Sequence, residues 1–437
     1  SGAPFVSGPT AAALVCSIAL IAWAAAMRAL AGTWLQPSAF FALWWCFAGI
    51  LPLIVTPQDA VGVNAMAWLV AASIAFSLGA LIGNWGFKTR RLARPTAPTD
   101  RELAVFGTVC LVSIILGIGS NVAFVVGTPG IAFGDMFNIE KLVVVSNQAY
   151  LSRYAETGAV APPPLSQALL PFVYLAAAAG GIVFALGRGT RIKLLGLAAF
   201  LPAIAVTILQ TAKAATLIAM TLWFSSYFAT RLRQGKLAVF TRPHVIAALI
   251  VATTVTVFFL AVGLARLATT DVALLNVVYV KLATAAFGHM TVFSHWLSDY
   301  TSSPMSPTLG MVTFAGPLEL LGFGKRIPGL FENLVDLAIG DTSNIYTGFR
   351  PLIQDFTIAG ALVILAVVGA VGGVGFRLVA AGRWSAVPLL MIAYVTIFWT
   401  PITWFWIYNS LTATVLAIGV IVLFVRIWRG ARRVAIA

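Results

Sequence analysis

The sequence predicts an all-α, polytopic integral membrane bundle of about eleven spans, or twelve if one ambiguous segment crosses, and three observations carry that reading. Hydrophobic residues make up 60% of the 437-residue chain and charged residues 9%, with a mean hydropathy of +0.98, which excludes an ordinary soluble globule. Apolar runs near the ~20 residues that a helix needs to cross ~30 Å of hydrocarbon recur along nearly the whole length, and the alternating segments of a barrel are absent. The 27 Lys and Arg residues give a net charge of +14 but fall in short clusters between apolar runs. That is the positive-inside pattern, so the expected partner is a lipid bilayer and not nucleic acid. All of 1–437 reads as one membrane domain.

The first three runs cover Ala11–Leu30, Ala39–Val55 and Val63–Ile82, with Asp59 in the loop between the second and third. Lys88, Arg90, Arg91, Arg94 and Arg101 follow in a polar loop that the charge rule places inside. A fourth run, Leu103–Val126, leads to a large outer connection, 127–164, closed by Pro162-Pro163-Pro164 ahead of a fifth run, Leu165–Leu186. Arg188, Arg191 and Lys193 return the chain to the inner side, and Leu194–Leu209 with Ala214–Phe228 forms a hairpin with Lys213 at its outer tip. After Arg231, Arg233, Lys236 and Arg242 comes the eighth run, Val245–Leu264. A second large outer segment, 269–356, precedes Ile358–Arg377, Val387–Trp399 and Ile407–Val425.

This layout puts the N-terminus outside and nineteen of the 27 basic residues inside, against only Asp100 and Glu102. If Asn276–Trp296 crossed as well, the Arg426–Arg433 cluster would face outward, so it is expected as an amphipathic or re-entrant helix on the outer face. Ser1–Pro4 shows no basic region ahead of a cleavage site, so insertion is expected to rely on the first span.

The chemistry is expected on the outer side. Its basic residues are Lys141, Arg153, Lys213, Arg266, Lys281, Lys325, Arg326 and Arg350; converging on one cavity, they would suit a diphosphate-bearing lipid, and standing apart they would be solvated loop cations. Lys213, in a very short turn, either lines a cavity or snorkels to headgroups. His289 and His295 are the outer histidines and candidates for substrate contact or general base. Asp299, four residues after His295, shares its helical face and could orient it, although a histidine anchoring an interfacial helix beside Trp296 explains the same residues. Spacing for a metal site is absent, and Cys16, Cys46 and Cys110 read as packing residues. The Gly372-Gly373-Val374-Gly375 run lacks a preceding strand and reads as close helix packing.

Asn344-x-Tyr346-Thr347, followed by Asp355-Phe356 and Gly360 at the mouth of a late span, resembles the C-terminal signature of Wzy-type polymerases, which join oligosaccharide repeat units in O-antigen and capsule synthesis. Arg153-Tyr154 in the first large outer loop, Lys213 at the short outer turn, and Phe287–Leu297 after Tyr279 agree in kind; Thr357 stands where that family usually carries Gly, and Lys213 where Arg is commoner. The resemblance covers most of the chain by layout and is sequence-specific only over Asn344–Gly360. It implies a GT-C-like glycosyltransferase of the bacterial inner membrane, its site facing the periplasm, with no cofactor and no nucleotide sugar. A growing glycan on undecaprenyl diphosphate would pass to a new repeat unit on a second undecaprenyl diphosphate, with a chain-length regulator and a flippase as partner proteins. Arg153, Lys213 and Arg350 would hold the donor diphosphate, Asn344, Tyr346, Thr347 and Asp355 the sugar or acceptor, and His295 with Asp299, or else Asp355, would act as base. Two other readings stay open: an O-antigen ligase that transfers to lipid A core, and a flippase or exporter of the same lipid-linked unit.

Overall fold

Apolar runs punctuated by short polar loops become, in the computed structural model, a series of helices with one small hairpin. The structure describes residues 8–59, 61–85, 99–128, 134, 138, 140–144, 147, 163–237, 241–267, 271–323, 331 and 333–434. In order the helices are α1 (Gly8–Ala31), α2 (Pro37–Val55), α3 (Val63–Gly83), α4 (Asp100–Gly127), α5 (Pro164–Leu186), α6 (Thr190–Ala198), α7 (Leu201–Gln210), α8 (Lys213–Arg233) and α9 (Arg242–Arg266). They are followed by α10 (Leu275–Phe287), α11 (His289–Ser302) and α12 (Ala315–Leu320), by the antiparallel strands β1 (Val335–Leu337) and β2 (Asp341–Ser343), and by α13 (Phe349–Ala380), α14 (Val387–Trp399) and α15 (Asn409–Val434).

Eight stretches among the described residues are helical, long and apolar enough to cross a membrane, and a ninth results if the bent pair Val272–Phe287 and His289–Ser302 is one span. This supports a membrane-embedded helical protein. The expectation of eleven spans counts three more helices: α14 and the apolar part of α15 are shorter, and α8 turns Thr216, Thr221, Ser225, Ser226 and Thr230 inward. The ambiguous segment Asn276–Trp296 becomes α10 and the start of α11, bent by 54°, the form of a broken span or a re-entrant loop.

The chain divides into two compact units. The first comprises Ser1–Arg94, Gly235–Val239 and Val280–Thr412; the second comprises Pro95–Gln234, Phe240–Tyr279 and Ala413–Ala437.

In the first unit, α3 and α13 lie with their backbones in contact. A Cβ on Gly79 would sit 1.8 Å from the Ala366 carbonyl oxygen, and one on Gly369 would sit 2.1 Å from that of Phe76. Small residues at helical spacing permit this approach, which replaces absent hydrophobic drive with close packing. Gly373 meets Ala80, while Gly372 and Gly375 face Ala393 and Leu390 of α14, so the glycine run serves helix packing.

The second unit is pinned at one end by charge. Thr99 and Glu102 form a capping box at the start of α4, which satisfies two orphan N–H groups. Arg233 Nη2 donates to Glu102 Oε1 at 2.9 Å, both side chains being buried, and Gln234 Nε2 donates to the Ala185 carbonyl at 3.0 Å. The ends of α4, α5 and α8 are thereby tied together.

Candidate functional site: a caged arginine

α13 begins abruptly because the chain two residues before it leaves the helical region. Thr347 takes φ 65°, in the left-handed region, its hydroxyl accepts from Phe349 N–H at 3.2 Å, and Gly348 N–H donates to the Thr400 carbonyl at 2.6 Å. Pro351, in the first turn, lacks an N–H that would have no helical partner there. These contacts fix the direction in which Arg350 leaves the helix.

Its guanidinium carbon lies 3.8 Å from the centroid of Phe331, 3.9 Å from that of Tyr346 and 5.4 Å from that of Trp296 on α11. Phe331 and Tyr346 meet edge to face at 5.3 Å. Arg350 is 8% exposed, and its Nε and Nη1 have no hydrogen-bond partner; among the described residues no carboxylate forms an ion pair with it. A desolvated cation–π contact contributes on the order of 2 kcal/mol, whereas burying an ion costs several. The rings therefore leave the charge only partly compensated, with planar donors of the geometry that phosphate oxygens accept in pairs.

The neighbouring motif residues build this cage. Asn344 Nδ2 donates to the Phe331 carbonyl at 3.0 Å, and the Tyr346 hydroxyl donates to the Asn333 carbonyl at 2.7 Å. Each reaches back to the strand of chain that supplies the opposite wall. Asp355 is fully buried; its Oδ1 accepts from the Thr308 hydroxyl and from Val312 N–H at 3.3 Å, and its Oδ2 from Thr313 N–H at 2.5 Å. A carboxylate engaged on both oxygens holds a loop and is poorly placed to take a proton. Two residues later the helix is interrupted, Thr357 adopting φ 65°, ψ 176°, a conformation that is essentially glycine's. Beside this break Pro307, Leu309, Phe356, Gly360, Val363 and Ile364 line an open apolar groove of about 450 Å³.

Of the other expected site residues, His295 and Asp299 both lie on α11 and both are exposed, with no hydrogen bond between them. His289 is buried against Trp45, with Nδ1 3.1 Å from the Ala286 carbonyl oxygen and Nε2 unpaired. Lys281 is exposed. Lys213 and Arg266 belong to the second unit: Arg266 Nη2 donates to the Thr211 carbonyl at 2.9 Å, its own carbonyl accepts from Asn147 Nδ2 at 2.7 Å, and a Cβ on Gly263 would lie 3.6 Å from Lys213 Nζ. They cluster with each other in that unit. Arg153, Tyr154, Lys325 and Arg326 lie outside the described residues, as does most of 127–164.

No family model matches the chain, and neither does any curated protein or solved structure.

Sequence reasoning missed Phe331, Trp296, Thr308 and Thr313. A chain with 29 Phe and 13 Trp gives an aromatic wall no contrast, and the two threonines lie in a loop without a motif.

Proposed function

We propose that this chain is a membrane glycosyltransferase of the Wzy-type polymerase class, working on oligosaccharides linked to a polyprenyl diphosphate at the outer face of a bacterial inner membrane. The observation that carries the proposal is Arg350: a cation at the head of a membrane helix, caged by aromatic rings, with two nitrogens unpartnered. Of the motif that resembles the family, Tyr346 is one wall of the cage and Asn344 ties down the Phe331 wall, and Thr357 takes a glycine-like backbone where the family carries Gly.

In the reaction the bond between the donor's anomeric carbon and a diphosphate oxygen breaks, and the acceptor hydroxyl oxygen bonds to that carbon. The hydroxyl proton passes to a base, and polyprenyl diphosphate leaves with the electron pair. Arg350 holds the diphosphate and stabilises the charge that grows on it. His295 is the base, with Asp299 on the same helix. Asp355 shapes the loop beside the site.

The test is polymerisation by the purified chain given lipid-linked repeat units. Longer glycans are expected from the wild type and none from Arg350→Ala, with the variant still folded in the membrane. A normal ladder from Arg350→Ala sinks the proposal. Strict dependence on lipid A core would make the chain a ligase, and movement of the lipid without a new bond an exporter.

A further inference from the structure

Asp59 lies almost three hundred positions from the cage in sequence and reads there as an ordinary loop acid. In the fold it is 4% exposed, and its Oδ1 accepts from Ala338 N–H at 2.5 Å. Ala338 opens the turn that joins β1 to β2, where Leu337 pairs with Asp341 and Val335 with Ser343. Leu337 closes the same end from the other side, since a Cβ on Gly288 would lie 2.5 Å from its Cδ1. β2 then runs directly into Asn344 and Tyr346. One of these pins the Phe331 wall and the other is itself a wall.

A two-stranded hairpin of three residues a side has little stability of its own. Its position must come from what holds its tip, and the charge-assisted bond from Ala338 to a buried carboxylate is the polar contact there. We propose that Asp59 is a positioning residue of the Arg350 site: by mooring the hairpin it sets where Tyr346 and Phe331 stand, and so how tightly the guanidinium is enclosed and presented. This role rests on Arg350 being the anion-binding group. Asp59 acts through the hairpin and makes no contact with a reacting atom.

The experiment uses the purified full chain in lipid nanodiscs and two readouts, modification of Arg350 by phenylglyoxal followed by peptide mass spectrometry, and deuterium uptake across 335–346. Asp59→Leu removes the acceptor, Ala338→Pro removes the donor from the opposite side, and Asp59→Asn keeps an acceptor oxygen without the charge. Both Asp59→Leu and Ala338→Pro are expected to speed modification of Arg350 about tenfold and to raise uptake, whereas Asp59→Asn stays within about twofold of wild type, the differences expected for one hydrogen bond. Should Asp59→Leu fail to fold, Ala338→Pro carries the measurement. Wild-type rates in both disrupting variants overturn the proposal, and so does an Asn variant as disturbed as the Leu one. Inorganic pyrophosphate added to the wild type separates the two ideas. If it fails to protect Arg350, the anion-binding reading falls while the mooring result stands; protection with no effect of either disrupting variant removes the mooring alone.

Discussion

Among the described residues two arginines are buried, and they are treated differently. Arg233, in the second unit, meets Glu102 at 2.9 Å, and that carboxylate also accepts at the capping box of α4. Arg350, in the first unit, meets three aromatic rings and keeps two nitrogens unpaired. A desolvated charge with a fixed counter-charge ties helices together and can do little else. One set chiefly against the faces of rings is held in position with its Nε and Nη1 unpartnered. The contrast is between a cation with a fixed counter-charge and one that, among the described residues, has none.

Substitutions sharpen that contrast, and the largest effect is expected at Arg350. Arg350→Lys keeps the charge but loses the planar fork and its stacking, so polymer synthesis should fall at least about tenfold with the melting temperature little changed. Activity measured beside thermal stability checks this, and an active lysine variant would reduce Arg350 to a mere positive charge. Glu102→Ala should show the reverse pattern. It removes the buried counter-charge of Arg233 and is expected to destabilise by about 3–5 kcal/mol, while the double replacement Glu102→Leu with Arg233→Met recovers much of the loss. Denaturation curves of the three proteins would decide, with activity per folded molecule expected to be unchanged. The smallest effect is at Thr357, where glycine relieves the left-handed backbone and should stabilise by about 1 kcal/mol. A lower melting temperature for Thr357→Gly would show that the hydroxyl matters more than the strain.

The same contrast explains what was legible in the sequence. Every run expected to span the bilayer became a helix, because a segment of apolar residues in hydrocarbon has few other ways to satisfy its backbone. The Gly372–Gly375 run could be assigned to packing because small residues in an apolar helix have few other uses. The Asn344–Asp355 block stood out by polarity alone, yet its parts were harder to assign. Asn344 and Tyr346 look like sugar ligands, but their polar atoms go to carbonyls thirteen residues upstream, and both oxygens of Asp355 go to a loop. Phe331, Trp296 and Asp59 gave no signal, since their roles arise only when distant segments meet. Thr357 gave a misleading one, because a β-branched residue does not announce a backbone conformation that glycine usually takes.

That interruption also bears on mechanics. Membranes change thickness, and a long apolar rod answers by tilting. Because α13 is broken at Thr357, the stretch before the break is fastened through Asp355 to 308–313 and through Gly348 to Thr400 rather than carried on a continuous lever. The piece that carries Arg350 is thus held by its own contacts, distinct from those by which the longer piece packs on α3 and α14.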